Sequence, residues 1–115
     1  MAYMVIVDTQ AEFRDQFVRL LEQAGHRATA VATVSDATSL LQAEVPDLLA
    51  TDVVLTDGSS TSLAQQAEAA GCKTLMMTGS PDRIVEFSGA GQPYLSKPVR
   101  PDVFLQRVEE MLADC

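Results

Sequence analysis

The sequence predicts an α/β fold in which a parallel sheet is covered by helices on both faces. Two observations predict it. Short apolar runs alternate with amphipathic stretches at helical spacing, five times over, and Gly or Pro punctuates the passages between them. Strands that alternate with helices imply right-handed crossovers and a parallel sheet buried on both sides.

The first run, Met4 to Val7, is apolar at every position, as a strand covered on both faces must be. Phe13, Phe17, Leu20, Leu21 and Ala24 then share one helical stripe, which Gly25 closes. Arg27 to Thr33 reads as a weaker strand, and Ser35 is placed to cap a helix burying Ala37, Leu40 and Leu41 before Pro46. Leu48 to Asp52 is the third strand. The polar cluster from Asp57 to Ser62 leads into a helix carrying Leu63, Ala67 and Ala70, ended by Gly71. Thr74 to Met77 is the fourth strand, and Ser80-Pro81 supplies a cap and a first-turn proline for a short helix with Ile84 and Val85, broken by Gly89 and Gly91. Tyr94-Leu95 is a brief fifth strand. Pro101 opens a last helix with Phe104, Val108, Met111 and Leu112 on one stripe.

With 115 residues there is room for one domain, taken as 1–115. Hydrophobic residues at 47% against 21% charged argue for a chain that builds its own core. Eight basic against sixteen acidic residues give a net charge of −8, which disfavours direct contact with nucleic acid or an anionic membrane. No stretch is long and apolar enough for a membrane span or a secretory leader, so a cytoplasmic protein is expected. Cys72 and Cys115 have no metal or redox spacing and read as two free thiols.

Parallel sheets bind ligands at the carboxyl ends of their strands. Those ends carry Asp8, Asp52, Thr78 and Lys97, so two carboxylates, a hydroxyl and an amine should converge on one sheet edge. The carboxylates could hold a divalent cation through oxygen, and one of them could attack phosphorus.

Four fragments, Val5-Ile6-Val7-Asp8, Pro46 to Asp52, Met76-Met77-Thr78-Gly79 and Tyr94-Leu95-Ser96-Lys97-Pro98, stand in the order in which the receiver domains of bacterial response regulators carry theirs. The chain resembles that CheY-like family over essentially its whole length. Its Asp57-Gly58 turn and compact Thr78-Gly79 segment are closest in style to short, single-domain alphaproteobacterial receivers. The resemblance implies a flavodoxin-like sheet in the order 2-1-3-4-5 with a shortened fourth helix. It implies that Asp52 accepts a phosphoryl group from a sensor histidine kinase or phosphotransfer protein. Asp8, Asp52 and the backbone carbonyl of Val54 would hold Mg²⁺, Thr78 and Lys97 would contact the phosphoryl oxygens, and Thr78 and Tyr94 would form the switch. The Lys97-Pro98 bond would be cis. The partners implied are that kinase and a downstream protein target, with association into a homodimer left open. Such a domain assists its own phosphorylation without being a turnover enzyme.

The sequence departs from the family where a second acid normally follows the first strand: Thr9 stands there, which predicts weakened Mg²⁺ binding. Thr9 also fits a capping box with Glu12, a reason for threonine that has nothing to do with metal. The proline usual four residues after the phosphoacceptor is Thr56. The alternative function is a phosphorylation-independent pseudo-receiver that binds partners constitutively. An enzyme of the same topology is disfavoured, since no general base, Gly-rich loop or nucleophile pair accompanies the acids. Asp57-Gly58-Ser59 faintly resembles a haloacid dehalogenase motif, but Leu55 occupies the nucleophile position. His26 reads as a surface residue at a helix end.

Overall fold

The computed structural model describes residues 2–113; Cys115, one of the two expected thiols, lies outside them. Five strands, β1 (Tyr3–Val7), β2 (Arg27–Val31), β3 (Leu48–Asp52), β4 (Lys73–Thr78) and β5 (Tyr94–Ser96), form one parallel sheet in the order β2-β1-β3-β4-β5. Between and after them run α1 (Ala11–Gln23), α2 (Val34–Ala43), α3 (Ser60–Ala69), α4 (Pro81–Ala90) and α5 (Pro101–Ala113). The predicted doubly wound topology is therefore the observed one.

Period-two alternation sorts the strand side chains onto two faces. Met4, Ile6, Leu48, Ala50, Leu75 and Met77 pack against Phe17 and Leu21 of α1 and Phe104 and Val108 of α5. Val5, Val7 and Leu49 point the other way, against Ala37 and Leu41 of α2 and Leu63 and Ala67 of α3. Met76 joins Ala64 and Phe87 in a small separate cluster under α4. Because β1, β3 and β4 are covered twice, successive residues at their centres, Met4 to Val7, Leu48 to Ala50 and Leu75 to Met77, are apolar and buried.

Several local expectations need correction. Gln10, without a side-chain cap, precedes α1, so Thr9 and Glu12 form no capping box; Asp8 Oδ1 instead accepts the Gln10 N–H at 2.9 Å. Thr33 and not Ser35 caps α2, accepting the Asp36 N–H. Ala24 and Ala70 are exposed cap residues and lie off the buried stripes. Gly89 lies inside α4, which ends only where Gly91 takes φ = 70°, a left-handed conformation that glycine adopts without steric cost. The fourth helix has ten residues, as many as α2 and α3, and is short only beside the 13-residue α1 and α5. His26, expected at the surface, is only partly exposed. Its side chain is 11% exposed, accepts the Ala2 N–H at Nδ1 and approaches Glu109 of α5 at Nε2.

Candidate phosphoacceptor site

Each of the four strand-end residues ends up at the same edge of the sheet because parallel strands all point their carboxyl ends one way. Asp8 follows β1 and is 1% exposed; Asp52 closes β3 at 7%, and Thr78 closes β4 at 3%. Lys97 follows β5. Its Nζ lies 3.0 Å from Asp52 Oδ2 and 3.4 Å from Asp8 Oδ2, so one ammonium bridges two buried carboxylates. The bridge offsets the like-charge repulsion that would otherwise oppose two acids at one site.

Backbone donors complete the arrangement. Asp52 Oδ1 accepts the Val54 N–H at 3.3 Å, Thr78 Oγ1 accepts the Ser80 N–H at 3.0 Å, and the Lys97 N–H donates to the Thr78 carbonyl at 2.8 Å. Lys97-Pro98 is cis, as expected. With its acceptor role taken by Ser80, the Thr78 hydroxyl retains a proton to donate. Val54 is 75% exposed, so the loop carrying it stands open to solvent beside Asp52.

Hard oxygen donors, two carboxylates and a backbone carbonyl at Val54, suit a hard divalent cation. Among the described residues no group of three or more His, Cys, Asp or Glu is placed to hold a metal, and the exposed Thr9 beside Asp8 adds no third carboxylate. Tyr94 is half-buried on β5, its ring 6.3 Å from Phe87 and its hydroxyl bonded to Ser88 Oγ at 3.2 Å; it neighbours the Asp52–Lys97 cluster through β4 without touching it.

Sequence reasoning overlooked three contributors. Arg14 on α1 donates to the Asp8 carbonyl at 2.7 Å. Phe13 places its ring 5.9 Å from Lys97 Nζ. Asp57, read only as a turn residue and a failed enzyme motif, accepts the N–H groups of Val34 and Ser35 at 2.8 and 3.0 Å and so ties the loop after Asp52 to the start of α2. Those two backbone bonds hold its carboxyl below the usual carboxylate range. No spacing in the sequence announces a contact across 23 residues. Burial pushes the Cys72 thiol up to about 12, which makes it a core residue and no nucleophile.

A model of the response regulator receiver domain matches residues 4–109. The chain is also similar to a CheY-like receiver domain protein of Methanospirillum hungatei, with 28% identity, a TM-score of 0.87, and coverage of 99% of this chain and 95% of that one. A two-component response regulator of Clostridium difficile superposes with a TM-score of 0.86 at 20% identity, covering 98% and 97%. The chemotaxis response regulator CheY4 of Vibrio cholerae does so at 0.83 and 23%, covering 96% and 98%. A comparison with curated proteins returned no match.

Proposed function

The chain belongs to the response regulator receiver domain family, and on that premise we propose that Asp52 accepts a phosphoryl group from the phosphohistidine of a sensor histidine kinase or phosphotransfer protein. Receiver domains are signalling modules of two-component systems and not turnover enzymes, and they bind Mg²⁺ at their acidic pocket. The observation that carries the proposal is the Lys97 ammonium within 3.0 Å of Asp52 and 3.4 Å of Asp8 at the carboxyl edge of the sheet.

In the transfer a carboxylate oxygen of Asp52 forms the new P–O bond as the P–N bond to the donor imidazole breaks, the electron pair returning to the nitrogen. Charge accumulates on the three equatorial phosphoryl oxygens of a loose transition state. Lys97 meets that charge with its ammonium, and Thr78 donates its hydroxyl proton to one oxygen. Asp8, Asp52 and the Val54 carbonyl would hold Mg²⁺, which when bound neutralises phosphoryl charge. With Thr9 in place of a second acid, the protein contributes one charge fewer to that ion, so its affinity is reduced.

Drawing Thr78 toward a phosphoryl group would compete with its bond from Ser80, the cap of α4, and Tyr94 of β5 packs beside Phe87, the buried residue of the same helix. The phosphorylated protein thereby presents a changed α4–β5 surface to a downstream protein target. No helix among the described residues is long and apolar enough to cross a membrane.

Incubation with acetyl phosphate and Mg²⁺, followed by intact mass measurement, tests the reading. The expected product is an alkali-labile phosphoryl adduct that Asp52→Asn does not form. An adduct absent from the wild type, or equal in the variant, overturns it, and a phosphorylation-independent interaction module would then be the surviving function.

A further inference from the structure

The geometry points to Phe13 as a positioning residue that holds the Lys97 ammonium over its ring. An ammonium has three N–H bonds to satisfy. Two sides of Lys97 Nζ face Asp52 and Asp8, and on a further side the centroid of Phe13 lies 5.9 Å away, within the range in which a cation is drawn to the negative face of an aromatic ring. Between Lys97 and the core is a void of about 10 Å³, lined by Asp8, Phe13, Phe17, Met77, Lys97 and Val99, at the lower limit for a single water. Solvent is therefore a poor partner on that side, and the ring is the electrostatic surface available there.

Phe13 is itself fixed. It stacks on Phe17 at 5.8 Å, and Phe17 stacks on Phe104 of α5 at 4.3 Å with an interplanar angle of 14°. This aromatic column runs from the α1–α5 seam to the ammonium, and Phe17 and Phe104 are fully buried within it. Lys97 is on a segment that leaves the sheet after three residues of β5, so its side chain needs support from outside its own strand. Holding Nζ in place ahead of the reaction removes an ordering cost from the transition state.

The kinetic consequence rests on the phosphoacceptor reading, and two readouts keep the ideas separable. Phe13 is replaced by leucine, by tyrosine and by phenylalanines carrying increasing ring fluorine, which withdraws electron density from the ring face while nearly preserving its size. In the metal-free protein, the Lys97 ε-methylene protons should be shifted upfield and inequivalent in the wild type and in Phe13→Tyr. They should approach a single, unshifted position as fluorine is added. With acetyl phosphate and Mg²⁺, the rate of adduct formation should fall by roughly three- to tenfold from phenylalanine to the most fluorinated ring, and tyrosine should preserve it. Thermal melts confirm that the fluorinated set folds, and a folded Phe13→Leu should lose the upfield shift and the rate as the most fluorinated ring does. Wild-type Lys97 signals without an upfield shift, or signals and rates indifferent to fluorine, overturn the inference. A wild type that forms no adduct overturns the phosphoacceptor reading alone, and the Lys97 signals then decide the role of Phe13.

Discussion

The two faces of the sheet are built to different strengths. On one, eleven buried residues among those described, ten from β1, β3, β4, α1 and α5 together with Val99 before α5, make a single cluster with an aromatic column through it. On the other, the core divides into eight residues beneath α2 and α3 and three beneath α4. Helix α4 contributes one buried residue, Phe87. A helix anchored by one side chain can shift for little free energy, whereas one sewn into an eleven-residue cluster cannot. The cluster of Asp8, Asp52, Thr78 and Lys97 spans both: Lys97 leans on the Phe13 side, and Thr78 leads through Ser80 into α4. Charge gained at Asp52 would then meet a rigid wall on one side and a yielding helix on the other, which gives a signal a direction.

The strongest way to break this comparison is to truncate one aromatic on each face. Phe104→Ala should cost about 3–5 kcal/mol of global stability in urea melts. Phe87→Ala should cost about 2 kcal/mol, because its small, edge-placed cluster can collapse, and should speed amide exchange selectively in α4. Equal global losses with uniform exchange would remove the distinction between the faces.

Next in size is Lys97→Met, which leaves Asp8 and Asp52 facing each other without their shared cation. A loss of about 2–4 kcal/mol at neutral pH is expected, partly recovered by adding Asp8→Asn, with chemical denaturation as the measurement. Recovery on the double change would locate the cost in the carboxylate pair and not in lost packing against Phe13.

Thr9→Asp adds an acid at the exposed start of α1, on the strongly built face. Since Thr9 caps nothing, the substitution forfeits no hydrogen bond, and the metal-free protein should lose only about 0.5 kcal/mol to repulsion from Asp8. Mg²⁺ should bind roughly tenfold more tightly, read by NMR titration. Unchanged affinity would show that a different oxygen already completes the donor set.

The smallest effect concerns Asp57 on the weaker face. Its carboxyl titrates below its ordinary value because Val34 and Ser35 donate to the ionised form. A depressed folded pKa adds stability that is complete above the unfolded value of about 3.9, and is lost as pH falls through the folded one. Amide exchange at Val34 and Ser35 should therefore quicken below that value and in Asp57→Asn, with the exposed position keeping the global change slight.

Much of this protein is legible along the chain. Apolar runs at Met4–Val7 and Leu48–Ala50 read as strands covered twice, stripes such as Phe17–Leu21 and Phe104–Val108 read as helix faces, and Ser80-Pro81 announced its helix start. These are local signals, set by side-chain period and by backbone chemistry within a few residues. Alternation of the two kinds of element decided that the strands would be parallel, and hence that Asp8, Asp52, Thr78 and Lys97 would share an edge. What the chain could not disclose were contacts among elements far apart in sequence: Asp57 on α2, Phe13 beneath Lys97, Arg14 on the Asp8 carbonyl, His26 against α5. Local pattern even misled at Thr9, where a capping box was offered and the backbone turned one residue later. Such contacts depend on how far each loop travels and on which rotamer the packed core admits, and only the assembled sheet and helices settle both.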